Sequence, residues 1–128
     1  MSLKIVLKAH EKVIIGEAVL RNGGRASEFF IENTVPILRQ KDILRECDAQ
    51  SPAKRIYFAV QLMYIDTGER DVHMQSFFKL SDEIVEAAPS TGDFVQKMRK
   101  SVAAGKYYQA LKTARALIAY EEELTRNA

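Results

Sequence analysis

The residues with the clearest chemical potential are basic. Between Phe94 and Tyr120 the chain carries Lys97, Arg99, Lys100, Lys106, Lys112 and Arg115, with no Asp or Glu among them. An uncompensated tract of this kind can follow a phosphate backbone. The competing reading is a solubilising helix face balanced by acids elsewhere in the fold. Glu121-Glu122-Glu123 follows as a local negative block. A second basic set lies near the start: Lys4 and Lys8, then Arg21 and Arg25 bracketing Asn22-Gly23-Gly24, then Arg39 and Lys41. Bases on an exposed strand face suit single-stranded RNA, gripped through its backbone while splayed bases are read. Phe29 and Phe30 are neighbours on one strand, so they point to opposite faces and one can be exposed for stacking. The alternative places the second ring against a packed helix.

Other reactive groups are sparse. His10 and His73 are the only histidines, and neither has a metal-ligand partner at helical spacing. Cys47 is the single cysteine, which excludes a disulfide scaffold; it reads as a packed or inert thiol with no histidine near it in sequence. Asp82-Glu83 reads as a solvated helix face. There is no glycine-rich phosphate loop and no serine elbow. The expectation is a protein that is not an enzyme, with no catalytic residue, no metal and no cofactor.

The elements that must position the bases divide the chain near residue 50. Leu3, Ile5 and Leu7 alternate with Lys4, Val6 and Lys8, the period-2 signature of a half-buried strand whose lysines face water. Lys12 to Ile15 resumes a β-branched run, and the short Ala9-His10-Glu11 interruption predicts a hairpin. Gly16-Glu17 allows a bend before a strand at Ala18 to Arg21. Asn22-Gly23-Gly24 is a turn signal because Asn and Gly tolerate positive φ. Phe29 to Ile31 and Val35 to Leu38 read as further strands, the last at an edge because of Pro36. Beyond Ser51-Pro52, an N-cap with proline at the first helical position, the pattern is helical. Ile56 to Ile65 is apolar nearly all round, as a buried helix requires. Arg70 to Ala87 is a second helix, ended by Pro89. Ser90 and Asp93 resemble a capping box for a third, striped by Phe94, Val95, Met98 and Val102 and closed by Gly105. Tyr107, Leu111, Ala114 and Ile118 share a face of a fourth. The fold class is α+β, a small N-terminal antiparallel sheet in residues 1–48 followed by about four helices in residues 49–128, packed as one compact unit.

Composition is that of an ordinary soluble domain: 128 residues, 47% hydrophobic and 28% charged, with nineteen Lys and Arg against seventeen Asp and Glu. A formal charge of +2 does not by itself announce a nucleic-acid partner. No run is long and apolar enough for a membrane span or a signal peptide, and a cytoplasmic location is expected.

Three segments carry a resemblance. Leu3 to Arg21 (LKIVLKAHEKVIIGEAVLR), Pro52 to Gln61 (PAKRIYFAVQ) and Gly105 to Leu117 (GKYYQALKTARAL) resemble, in this order, the FlbT family of alphaproteobacterial regulators. The resemblance implies post-transcriptional control of flagellin synthesis through the 5′ untranslated region of flagellin mRNA, alongside a second small regulator, FlaF. A weaker similarity, from residue 3 to about 43, is to the RNA-binding regulator CsrA. Glu11, Ile15 and Gly16 keep that protein's order, and Lys8 and Arg39 match the basic positions of its first strand and of the end of its last. Leu7 departs where a base is expected, and His10 stands where both families usually have a turn glycine. A non-glycine residue at positive φ is uncommon, which predicts a different turn geometry here.

The leading expectation is therefore an RNA-directed regulator. Lys4, Lys8, Arg21, Arg25, Arg39 and Lys41 are its candidate RNA contacts, and Lys97, Lys100, Lys106, Lys112 and Arg115 a possible extended track. The alternative is a protein-interaction module for FlaF or flagellin, with Met63, Met74, Met98 and the aromatics of the helical half as its surface. Open strand edges also suggest a homodimer.

Overall fold

The computed structural model describes residues 2–127. Five strands come first: β1 (Leu3–Leu7), β2 (Lys12–Ile15), β3 (Ala18–Arg21), β4 (Ser27–Ile31) and β5 (Ile37–Arg39). Four helices follow: α1 (Pro52–Ile65), α2 (Arg70–Ala87), α3 (Gly92–Ala103) and α4 (Tyr107–Arg126). The class is α+β. The chain forms two compact units, one ending at Ile43 and the other starting at Leu44.

In the first unit the strands form two small antiparallel sheets, β1-β4 and β3-β2-β5. The expected β1–β2 hairpin is not formed, since β1 pairs with β4 and β2 with β3 and β5. The connecting turn explains this. The Glu11 N–H donates to the Lys8 carbonyl, 3.1 Å, with His10 at φ +63°. Positive φ at the second central residue is the sign pattern of a type II turn, whose twist splays strands apart. His10 thus adopts the left-handed backbone that a glycine would adopt, against the sequence expectation of a different geometry. Gly16, also at φ +63°, is the first central residue of the two-residue β2–β3 loop. That is the type II′ pattern, which matches strand twist and permits pairing.

Alternation buries Ile5 and Leu7 and leaves Lys4, Val6 and Lys8 exposed; Leu3, at the strand's start, is exposed despite its place on the apolar face. Ile5, Leu7, Val13 and Ile31 form the core, with Ile15, Phe29, Val35 and Ile37 packed against it. Phe29 therefore turns inward and Phe30 outward, 55% exposed.

The turn expected at Asn22-Gly23-Gly24 is not formed there: Asn22 and Gly23 prolong the β2–β3 pairing, with the Asn22 N–H on the Glu11 carbonyl at 2.8 Å and the His10 N–H on the Gly23 carbonyl at 2.9 Å, and the chain bends at Gly24-Arg25. Among the described residues only His10, Gly16 and Gly105 have positive φ. The Asn22 side chain acts instead as a hub: its amide donates to the carbonyls of Leu7, Lys8 and Arg25 at 3.2, 2.9 and 2.8 Å and its oxygen accepts from the Ser27 hydroxyl.

In the second unit α1 packs along both α2 and α4, and α3 along α4. Ser51 caps α1 by accepting from the Lys54 N–H, with Pro52 in the first turn. The Glu121 carboxylate, read as part of a negative block, accepts the Ala53 N–H at 2.8 Å and holds the start of α1 to α4. Gln61 is buried and exchanges two hydrogen bonds with the Leu44 backbone. Phe77, Met63, Met98, Leu111 and Leu117 are fully buried. Two of the methionines offered as an interaction surface, Met63 and Met98, are therefore core.

The Ser90–Asp93 capping box is not formed. Residues 89–91 make a 3₁₀ turn leading into α3, whose N-cap is Thr91. The Thr91 hydroxyl turns back to donate to the Ala88 carbonyl, 2.7 Å, which also accepts the Thr91 N–H at 2.9 Å. Gly105 does close α3, at φ +73°, with Lys106 N–H on the Ser101 carbonyl and Gly105 N–H on the Val102 carbonyl, the paired bonds of a Schellman motif. Cys47 is exposed, not packed.

Asn22→Ala removes the hub while leaving three part-buried or exposed carbonyls to water. A loss of about 1–3 kcal/mol is expected, measured by urea unfolding. Asn22→Asp, which keeps the acceptor and loses the donors, should cost a similar amount.

Candidate nucleic-acid interface

An open recess of about 790 Å³ lies in the first unit where the end of β1, the turn after it and the end of β5 meet. Val6 is exposed on its strand face, and Lys8, Arg39 and Lys41 bring three bases around it, with one acid, Glu11. Ala9, His10 and Gln40 complete the lining. Lys8 and Lys41 are exposed and make no ion pair among the described residues.

Arg39 is held more firmly. Its Nη2 donates to the Val6 carbonyl at 2.7 Å and lies 3.6 Å from the Glu11 carboxylate. Glu11 also accepts the Lys8 N–H at 2.8 Å. The acid is therefore spent within the turn. Gln40 accepts the Lys12 N–H at 2.6 Å, tying the 40–42 turn to β2. The result is a basic rim of hydrogen-bonded backbone and two exposed ammonium groups. Such a rim can neutralise phosphate oxygens, and it has no nucleophile-and-base pair.

Three of the six sequence-predicted strand bases, Lys8, Arg39 and Lys41, converge here. Lys4 does not line the recess; its ammonium pairs with Glu28, 3.3 Å away. Arg21 and Arg25 are exposed and do not line it either. Lys4 stands opposite Phe30, and Val6 opposite Glu28, so the outward face of β1-β4 carries Phe30 beside the bases. The adjacency of Phe29 and Phe30 signalled one exposed ring; the register decides which.

The helical tract is less continuous than its sequence suggests. Arg99 is compensated, pairing with Asp82, donating to the Ser81 hydroxyl at 2.9 Å and lying over the Phe78 ring. Arg115 donates to the Tyr57 hydroxyl, and Lys112 sits over the Tyr108 ring at 5.3 Å. Lys97 and Lys112 share a small recess between α3 and α4 with Phe94 and Asp93. Lys100 and Lys106 are exposed and do not line that recess. His73 is accounted for by its 2.8 Å contact with Asp66. Among the described residues no group of three or more His, Cys, Asp or Glu side chains could hold a metal, and no helix is long and apolar enough to cross a membrane.

A family model described as flagellar protein FlbT matches residues 3–125. The chain belongs to the FlbT family. It is 43% identical over 97% of its length to a probable flagellum biosynthesis repressor protein FlbT 1 of Bradyrhizobium diazoefficiens, covering 85% of that protein. A probable repressor FlbT of Rhodopseudomonas palustris is 36% identical, over 97% of this chain and 98% of its own. The flagellum biosynthesis repressor FlbT of Caulobacter vibrioides is 34% identical, over 96% and 89%. These matches show the FlbT family and not the likeness to CsrA. No solved structure matches the chain.

Arg39→Ala opens the recess wall and frees the Val6 carbonyl. The expected cost is about 1–2 kcal/mol, whereas Lys8→Ala and Lys41→Ala should stay within about 0.5 kcal/mol of the parent. Thermal or urea unfolding of the three variants checks this ordering.

Proposed function

We propose that this protein is a cytoplasmic post-transcriptional regulator of flagellum biosynthesis that binds the 5′ leader of flagellin mRNA and alters its stability or translation. The observation that carries the reading is the convergence of Lys8, Arg39 and Lys41 on one recess whose only acid is already engaged. Phosphates would be gripped by the two exposed lysines and the anchored arginine, while an unpaired base meets the exposed apolar surface of Val6. The relatives named as flagellum biosynthesis repressors support the regulatory part. FlaF is its proposed regulatory partner, and no catalytic step is involved.

Gel shift of single-stranded flagellin leader RNA over a salt series tests this. Affinity should fall steeply with salt, and Lys8→Ala or Lys41→Ala should weaken binding and reduce the log–log salt slope by about one each. Lys97→Ala with Lys112→Ala should weaken binding only if the helical tract extends the site. Binding that is absent at low salt, or indifferent to salt, would sink the proposal.

A protein partner is the second reading, favoured by one observation. β3 is an edge strand exposed along its whole length, with Val19 68% and Leu20 43% exposed. Such an edge is a template for strand addition by FlaF, flagellin or a second copy. Co-purification with FlaF or flagellin after ribonuclease treatment, or a light-scattering mass of twice 14.5 kDa, would support it. Replacing Val19 by Lys should then abolish the association.

A further inference from the structure

We infer that His10 is a ligand-contacting residue of the recess, its imidazole packing on an unpaired base of the RNA; this rests on the RNA reading above. Three observations carry it. First, His10 holds φ +63°, a backbone that costs an L-residue free energy and that glycine adopts without strain. Second, the fold uses only its backbone: the His10 N–H donates to the Gly23 carbonyl at 2.9 Å, while the imidazole is exposed and makes no hydrogen bond or ion pair among the described residues. Nothing in the folded chain compensates for the strain through the ring. Third, the residue lines the recess beside Lys8, Arg39 and Lys41. Strain kept at the rim of a site, by a side chain with no structural partner, points to a role outside the fold. A flat imidazole in a recess lined by cationic groups has the chemistry to stack on a base whose flanking phosphates those groups would hold.

The turn geometry fixes the backbone from which the side chain leaves. Glu11 N–H on the Lys8 carbonyl closes the turn, and the Glu11 carboxylate accepts the Lys8 N–H from the other side. Both ends of the turn are therefore fixed while its second central residue points outward. A small ligand anion would use the bases and ignore the ring, so the ring's contribution separates base contact from phosphate contact.

The test is fluorescence anisotropy with a labelled single-stranded flagellin leader RNA, run on the full chain with Lys8→Ala, His10→Asn, His10→Gly and His10→Tyr beside the parent. Asn tolerates the left-handed backbone and Gly prefers it, so both keep the turn and remove the ring. Both should weaken binding about tenfold, a typical loss for one stacked base, while leaving the salt slope unchanged. Lys8→Ala should lower the slope. His10→Tyr, a ring on the same backbone, should bind within about threefold of the parent. His10→Gly should melt a few degrees higher, because strain is relieved. If the parent binds, Lys8→Ala weakens it and both ring-less variants bind as the parent does, the inference on His10 is overturned while the RNA reading stands. If the parent fails to bind, the RNA reading falls instead. A lower melting temperature for both ring-less variants would show the imidazole to be a structural group and overturn the inference.

Discussion

The first unit depends on how β1 is held without a hairpin partner. The type II turn after it directs the chain away, so β1 pairs with β4 alone. Its last carbonyls then need donors. Arg39 reaches from β5 to the Val6 carbonyl, and Asn22 reaches from the end of β3 to Leu7 and Lys8. Side chains thus do between the two sheets what a backbone ladder does within one. A unit that ends at Ile43 has little apolar surface to bury. These donors join its sheets together with the shared core of Ile5, Leu7, Val13 and Ile31.

The same bonds shape the recess. Arg39 is pinned across the gap, so its guanidinium forms wall as well as charge. Glu11 is drawn into the turn and toward Arg39, so its negative charge is partly offset within the wall of the recess. The ammonium groups of Lys8 and Lys41 remain outside this network. Arginine's rigid fork suits the anchored position, and lysine's flexible point charge suits the exposed ones. The second unit solves its problem differently. A nearly all-round apolar α1 is enclosed by α2 and α4, and polar groups appear where backbone ends must be satisfied, as Glu121 does for Ala53 and Gln61 for Leu44.

Much of the fold was legible because local physics carried it. Alternation marked β1, the Ser51-Pro52 pair marked the start of α1, and the glycine at 105 marked the end of α3, each confirmed by a bond or a dihedral. Readings failed where a side chain had two local options. Thr91, not Ser90, became the α3 cap residue because the chain was already turning helically and the end of α2 offered acceptors. Asn22 and Gly23 prolonged the β2–β3 pairing and used no positive φ. Of the six bases between Phe94 and Tyr120, Arg99 is paired with Asp82, seventeen residues away in sequence and beyond any pattern of spacing.

The sequence alone settled which strands and helices exist, the family, and the alternation that leaves Lys4, Val6 and Lys8 outside while Ile5 and Leu7 go in. Those are properties of short windows, where side-chain period and backbone preference act within a few residues. Tertiary structure decided the pairing of β1 with β4, the outward turn of Phe30, and the meeting of Lys8 with Arg39 and Lys41 across about thirty residues of chain. It also decided that His10 bends as glycine would. Each of these rests on partners distant in sequence, and contact free energy between distant groups leaves no periodic trace in the chain that makes them meet.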